Sequence, residues 1–162
     1  MKRLNLGCGR DYREGWDNWD ASPEVRAEAR VDIGHDRFPA EDNTYDEIYC
    51  AGVFEQINGN QELVMAMNEC HRVLKPGGKM TVRVPHAGYK IAKRDPFTRR
   101  FFTPGTFEYF QKGAKRYELF GSVYGFKPWN IESITTRRFT HWRAFLRFDF
   151  FKGILTVVMS KA

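Results

Sequence analysis

The sequence predicts an α/β domain: a mostly parallel sheet with an antiparallel edge pair and helices on both faces. Three observations carry this expectation. Short β-like runs alternate with loop or helical segments through the first half of the chain. The first run breaks directly into Gly7-Cys8-Gly9, a tight strand-to-loop turn. Two late β-like runs are joined by a shorter connection, which suits an antiparallel edge.

The elements follow in order. "KRLNLG" reads as the first strand, and "GWDNWDAS" as a short second strand ending at Asp20. In "SPEVRAEA", Ser22 as N-cap and Pro23 at the first helical position suit a turn or two of helix. "ARVDIG" is a third strand, "RFPAEDNT" a loop and "YDEIYCAGVF" a fourth strand. The clearest helix is "NQELVMAMNECHRVLKPGG". Leu63, Met67, Cys70 and Leu74 share one face at i, i+4, i+7 and i+11, with Asn60 as cap and Pro76-Gly77-Gly78 as the stop. "KMTVRVPH" alternates Met80, Val82 and Val84 with Thr81 and Arg83, as a fifth strand would. "FTPGTFEYFQKG" is a short helix with Thr103 as cap, Pro104 at the first position and Gly113 as its stop. "WNIESITTRRF" and "GILTVVMSK" are the two late strands.

A length of 162 residues suits one domain with a real core. Cys8, Cys50 and Cys70 form no CxxC pair and sit in apolar or glycine contexts. They read as reduced core residues, and no clustered ligand set points to a metal. No apolar stretch is long enough to span a membrane, and "MKRLNLG" lacks the apolar region of a signal peptide. The expectation is a cytoplasmic protein with no membrane partner. Charge is divided along the chain. Residues 1–72 carry 8 Lys+Arg against 15 Asp+Glu, and residues 73–162 carry 18 against 5. That division suits either an anionic or nucleic-acid partner at the basic C-terminal half, or mutual attraction of two halves of one domain.

In open sheets of this kind ligands bind at the carboxyl ends of the strands, near the topological switch. The chemistry is therefore expected at Gly7–Gly9, Asp20, Asp32–Ile33, Cys50–Phe54 and Pro85–Gly88. Glycine there turns the backbone tightly and lets a ligand approach it. The third glycine of a dinucleotide fingerprint is replaced by Tyr12, which argues against nicotinamide or flavin binding. Asp20, or Asp17 as second choice, can accept both hydroxyls of a ribose. The alternative for Asp20 is a structural residue at the entry to Ser22-Pro23.

Together "LNLGCG", "WDNWDAS", "VDIG", "FPAEDNTYDEIYCAGVFEQI", "ECHRVLKPGGKMTVRVPH" and "DPFTRRFFTPGTFEYF" resemble the short class I S-adenosylmethionine-dependent methyltransferases, over about residues 3–110. The resemblance implies a Rossmann-like fold over residues 2–162, with 90–125 as a substrate-side flap and short helix. It implies S-adenosylmethionine as cofactor, S-adenosylhomocysteine as product and methyl transfer to an unidentified acceptor. It places Leu6, Gly7, Cys8 and Gly9 around the methionine and ribose, Asp20 on the ribose, and Asp32 and Ile33 beside the adenine. Cys50, Ala51 and Phe54 fall near the sulfonium and ring. The chain departs from the family at Asn5, often an acid, at Gln56, often His, and at Phe97-Thr98, where a His is common.

Methyl transfer needs alignment first, and a base only when the acceptor must lose a proton. His86, in "VPHAG", is the candidate base, with a surface-loop histidine as the alternative. His71 reads as a helix-surface residue, His35 could line the adenine side, and His141 reads as structural or surface. Glu55 either accepts from the cofactor's amino group or faces water. In "KIAKRDPFTRRFF" basic and aromatic residues interleave, which suits a phosphate-rich ligand or a solvated flap packed on the core. The second functional reading is a nucleic-acid or phosphate-ligand binding module on a catalytically inactive methyltransferase scaffold.

Overall fold

A computed structural model describes residues 1–136 and 153–162. Seven strands form one sheet in the order β3-β2-β1-β4-β5-β7-β6. They are β1 (Arg3–Leu6), β2 (Asp17–Asp20), β3 (Ala29–Arg30), β4 (Tyr45–Ala51), β5 (Leu74–Pro85), β6 (Trp129–Thr136) and β7 (Ile154–Lys161). The first five pair in parallel, while β7 pairs antiparallel with both β5 and β6. The expected edge pair is therefore present, with the last strand inserted between β5 and β6. Residues 137–139 of "WNIESITTRRF" and His141 lie outside the described residues.

Helix α1 (Asn60–Val73) covers the sheet with Leu63, Ala66, Met67, Cys70 and Val73. These meet Leu4, Leu6, Ile48, Cys50, Met80 and Val82 in one core. Asn60 does not cap α1: Gly59 holds that position, and the Asn60 Oδ1 accepts from Arg100 Nη2 at 3.1 Å instead. Nor do Pro76-Gly77-Gly78 end the helix. The chain leaves α1 at Val73 and enters β5 at once, where Leu74 already pairs with Tyr45. Residues 22–27 form a turn rather than the expected helix, with Ser22 Oγ accepting from the Glu24 N–H at 3.2 Å. With eight residues between β2 and β3, a helix could not both form and return the chain to the sheet.

The three cysteines are free and buried, as expected. His71 is half-buried rather than out on the helix surface. Its ring packs edge-on against Trp129 with centroids 5.1 Å apart, because the helix face carrying it lies under the β6 end of the sheet. The short helix of the flap is a 3₁₀ turn, Pro104–Tyr109, and the Thr103 N–H donates to Thr106 Oγ1 at 3.0 Å.

Candidate active site

The sheet order reverses between β1 and β4, so the two chain crossings leave in opposite directions and open a cleft at the carboxyl ends of these strands. A cleft of about 640 Å³ lies there. Gly7, Cys8, Gly9, Asp20, Asp32, Ile33 and Ala51 line it. So do Gly52, Val53, His35, the residues leading into α1 at Asn58 and Gly59, and Glu62 in its first turn.

The two glycines serve different ends. Gly7 has φ +67°, and a Cβ there would stand 2.2 Å from Val53 Cγ2, so its bareness lets β1 close against the β4 turn. Gly9 has φ +49° with nothing within 4 Å of a would-be Cβ. Its backbone is open to an approaching molecule. Gly7 and Cys8 N–H both donate to Trp19 O, at 2.8 and 3.0 Å, which ties the turn to β2.

Asp20 sits at the end of β2. Its Oδ2 accepts from the Gly9 N–H at 2.8 Å and its Oδ1 from the Ser22 N–H at 2.9 Å. The structure thus gives Asp20 the structural role that was the alternative, while each oxygen keeps a further lone pair toward the cleft. Asp32 and His35 meet at the rim, Oδ1 to Nδ1, at 3.2 Å. Ile33 packs against the core beside them. Cys8 is buried, with its thiol 3.6 Å from Arg26 O.

Leu6 and Phe54 do not line the cleft. Leu6 is fully buried, because the strand's alternation turns it into the core, and the Phe54 ring is buried after the Gly52 turn. Asn5, where the family often has an acid, is a buried structural amide. Its Nδ2 donates to Asn18 Oδ1 at 2.9 Å and to Asp11 O at 2.6 Å. Asn18 in turn accepts from the Arg13 N–H and donates to Arg13 O and Trp16 O, so the pair pins the loop after Gly9.

A second pocket, about 560 Å³, shares Ala51 and Gly52 with the cleft. Its walls are mostly apolar, from Pro85, Ile91, Ile154 and Ala51, with Arg83, Arg94, Asp95, Thr98 and Glu55 among them. Glu55 is 5% exposed, so it neither faces water nor lines the cleft. Its Oε2 has no hydrogen-bond partner among the described residues. Burial, with Asp95 nearby adding to it, pushes its carboxyl up to about 7. The sequence signal was an acid set between Val53, Phe54 and Ile57, in a stretch otherwise built for burial.

The flap over this pocket is clamped from below. Glu55 O accepts from the Arg99 and Arg100 N–H groups at 2.7 and 2.9 Å. The Arg100 guanidinium donates to Ile57 O, Asn58 O, Gly59 O and Asn60 Oδ1. Phe102 is buried in the core, while Phe97 and Phe101 are exposed beside Lys90, Lys93, Arg94 and Arg99.

His86 lies at the end of β5 but lines neither the cleft nor the pocket. Its Nδ1 accepts from the Gly88 N–H at 3.0 Å, and its ring packs edge-on against Tyr89. With Nδ1 accepting that bond, the ring is held in place by its own loop.

The cleft fits the cofactor implied by the resemblance. Asp11, Asp20, Asp32 and Glu62 outnumber Arg10 among its charged walls, which suits a ligand bearing a sulfonium and an ammonium. Ile33 and Val31 offer an apolar face for a ring, and Gly9 leaves the main chain uncovered.

Residues 18–82 match a family model described as a methyltransferase domain, spanning β2 to most of β5. A Mesorhizobium loti S-adenosylmethionine-dependent methyltransferase superposes with a TM-score of 0.64 at 15% identity, covering 99% of this chain and 90% of the other. One from Archaeoglobus fulgidus gives 0.63 at 14% identity, covering 99% and 86%. One from Clostridium acetobutylicum gives 0.62 at 12% identity, covering 99% and 84%. At such identities these likenesses establish the fold. No curated protein matches the chain.

Proposed function

We propose that this chain is a class I S-adenosylmethionine-dependent methyltransferase that binds its cofactor in the cleft at β1 and β4 and methylates an acceptor held in the adjoining pocket. One observation carries the reading: the two cavities share Ala51 and Gly52, so a ligand in each would meet at the end of β4. The cofactor supplies an electrophilic methyl carbon on a sulfonium, with a neutral thioether as leaving group.

The protein's contribution is alignment. Asp20 accepts ribose hydroxyls while its bonds to Gly9 and Ser22 keep the carboxylate from rotating. Asp32 and Ile33 flank the adenine, and the backbone of Gly7, Cys8 and Gly9 receives the methionine part. Residues 90–125 close the acceptor side, and Arg100 ties that flap to the cleft rim at Ile57–Asn60. Holding two reactants in line in this way lowers the barrier by several kcal/mol, about 7–11 in the best-aligned cases.

Calorimetric titration with S-adenosylmethionine and S-adenosylhomocysteine tests the cleft. Both are expected to bind, with Asp20→Ala at least tenfold weaker. Failure of either ligand to bind the wild-type protein overturns the reading.

A second reading rests on the flap surface, where Lys90, Lys93, Arg94 and Arg99 stand exposed with Phe97 and Phe101. Cations with open aromatic rings suit a single-stranded nucleic acid or another polyanion. This reading adds a partner at the rim of the same pocket and does not require an inactive scaffold.

A further inference from the structure

We propose that the pocket beyond Gly52 takes the methyl acceptor as a protonated amine on a compact apolar body, and that the Glu55 carboxylate binds the ammonium and removes its proton. The inference rests on the cofactor occupying the neighbouring cleft.

A carboxyl that is 5% exposed and has an oxygen without a partner among the described residues is costly, and structures rarely keep one without a use. Its position is fixed. The flap holds the Glu55 carbonyl through Arg99 and Arg100, and Oε1 stands 3.8 Å from where a Cβ on Gly52 would be. Gly52 belongs to both cavities, so the carboxyl lies at their junction.

The complement of a buried acid among apolar walls is a cation with an apolar body. An anionic acceptor would be repelled at this end of the pocket, and a neutral hydroxyl would leave the carboxylate uncompensated. The other charged groups facing the pocket are already engaged or exposed. From β5, Arg83 Nη1 donates to Tyr49 Oη at 3.0 Å. From the flap, Asp95 Oδ1 accepts from the Phe97 N–H at 2.8 Å, and Arg94 is exposed. His86 does not reach the pocket.

The step balances. An N–H bond of the ammonium breaks as an O–H bond forms on Glu55, and the electron pair stays on nitrogen. That pair then forms the bond to the methyl carbon while the carbon–sulfur bond breaks, its pair going to sulfur. The product leaves as a methylated ammonium, and Glu55 returns its proton to water. Glu55 titrates at about 7, so it is ionised in enough of the molecules at neutral pH to take a proton.

The test uses three probes of one shape: phenethylamine, 2-phenylethanol and 3-phenylpropionate, titrated calorimetrically into the whole chain. At pH 8 the amine is expected to bind at least tenfold tighter than either of the others. Its affinity should fall about tenfold from pH 8 to pH 6 as Glu55 takes a proton, while that of the alcohol stays level. Glu55→Gln should cost the amine at least tenfold and leave the alcohol within threefold. Carbon NMR of glutamate-labelled protein gives a readout independent of binding heat: the resonance absent from Glu55→Gln should move to its ionised position when amine is added at pH 6. Equal affinity for the three probes, no binding at 10 mM, or an amine affinity indifferent to pH overturns the proposal, and none of these needs the variant to fold. S-adenosylmethionine is titrated in parallel. Normal cofactor binding without amine preference overturns this inference alone, whereas loss of cofactor binding overturns the function proposed for the cleft.

Discussion

Glu55 gives stability a pH dependence that a single substitution can isolate. Burial raises its folded pKa to about 7, above the ordinary range of a glutamate in the unfolded chain. Between those two values the folded state holds the extra proton, so stability falls as pH rises through the window. The loss levels off above the folded value, at roughly 3 kcal/mol for a shift of this size. Glu55→Gln carries no proton to lose. Denaturant unfolding at pH 5 and pH 8 should therefore show a smaller loss for the variant than for the wild type. Equal losses would mean that Glu55 is ionised and satisfied in the folded protein. His71 acts in the opposite direction. Burial, with Lys161 adding to it, lowers its pKa to about 4, so its share of stability is lost as pH falls below the ordinary histidine range. The two residues bound the pH of greatest stability from opposite sides.

At the scale of elements, the joint between the flap and α1 decides how the two cavities are held together. Arg100 is the tie. Its guanidinium reaches three consecutive carbonyls, Ile57, Asn58 and Gly59, which lie just before the helix and line the cofactor cleft. Arg100→Ala leaves those carbonyls and the Asn60 side chain without their donor. It should weaken S-adenosylmethionine binding several-fold, although Arg100 itself does not line the cleft. It should also destabilise the fold by about 1–3 kcal/mol. Lysine cannot reproduce the fork, so Arg100→Lys should recover only part of either effect. An unchanged cofactor affinity in Arg100→Ala would show that the cleft rim stands without the flap. Asn5 and Asn18 play the matching part on the other side, where buried amides pin the loop that follows Gly9.

Across the whole molecule, the division of charge follows the division of the site. The acidic first half supplies the cleft walls at Asp11, Asp20, Asp32 and Glu62. The basic second half carries the flap cations Lys90, Lys93, Arg94 and Arg99. The halves also meet in one sheet, with Lys75 Nζ on Asp46 Oδ1 at 2.8 Å across the β4–β5 pair. The attraction between the halves therefore has a contact behind it, while the anionic partner stays a proposal resting on the exposed flap cations. A single-stranded oligonucleotide separates them. If the four flap cations each meet a phosphate, affinity should fall about 50-fold between 50 and 200 mM salt. Lys90→Ala with Lys93→Ala should reduce that slope. A flat salt response would leave the flap with its pocket role alone. Among the described residues no helix is long and apolar enough to cross a membrane.

The sequence by itself determined the strands, the long helix, the antiparallel edge pair and the turn at Gly7–Gly9, because strand alternation, helical spacing and glycine are local signals; the order of the strands in the sheet came from the structure. It also carried Asp20, Asp32, Ile33 and Ala51 to the cleft, since an open parallel sheet offers one set of loops for binding. The tertiary structure alone decided the rest. Helix α1 runs straight into β5 because the sheet supplies the pairing for Leu74, which Pro76 and Gly77 could not reveal. Leu6 and Phe54 turn into the core, and His71 lies under Trp129, because packing rather than neighbourhood in the chain sets which face is covered. From the sequence, Glu55 reads as an acid that accepts from the cofactor's amino group or faces water, and neither reading contains its burial. Its burial depends on a flap more than forty residues away folding back over it, and that long-range contact is what makes a carboxyl chemically distinct.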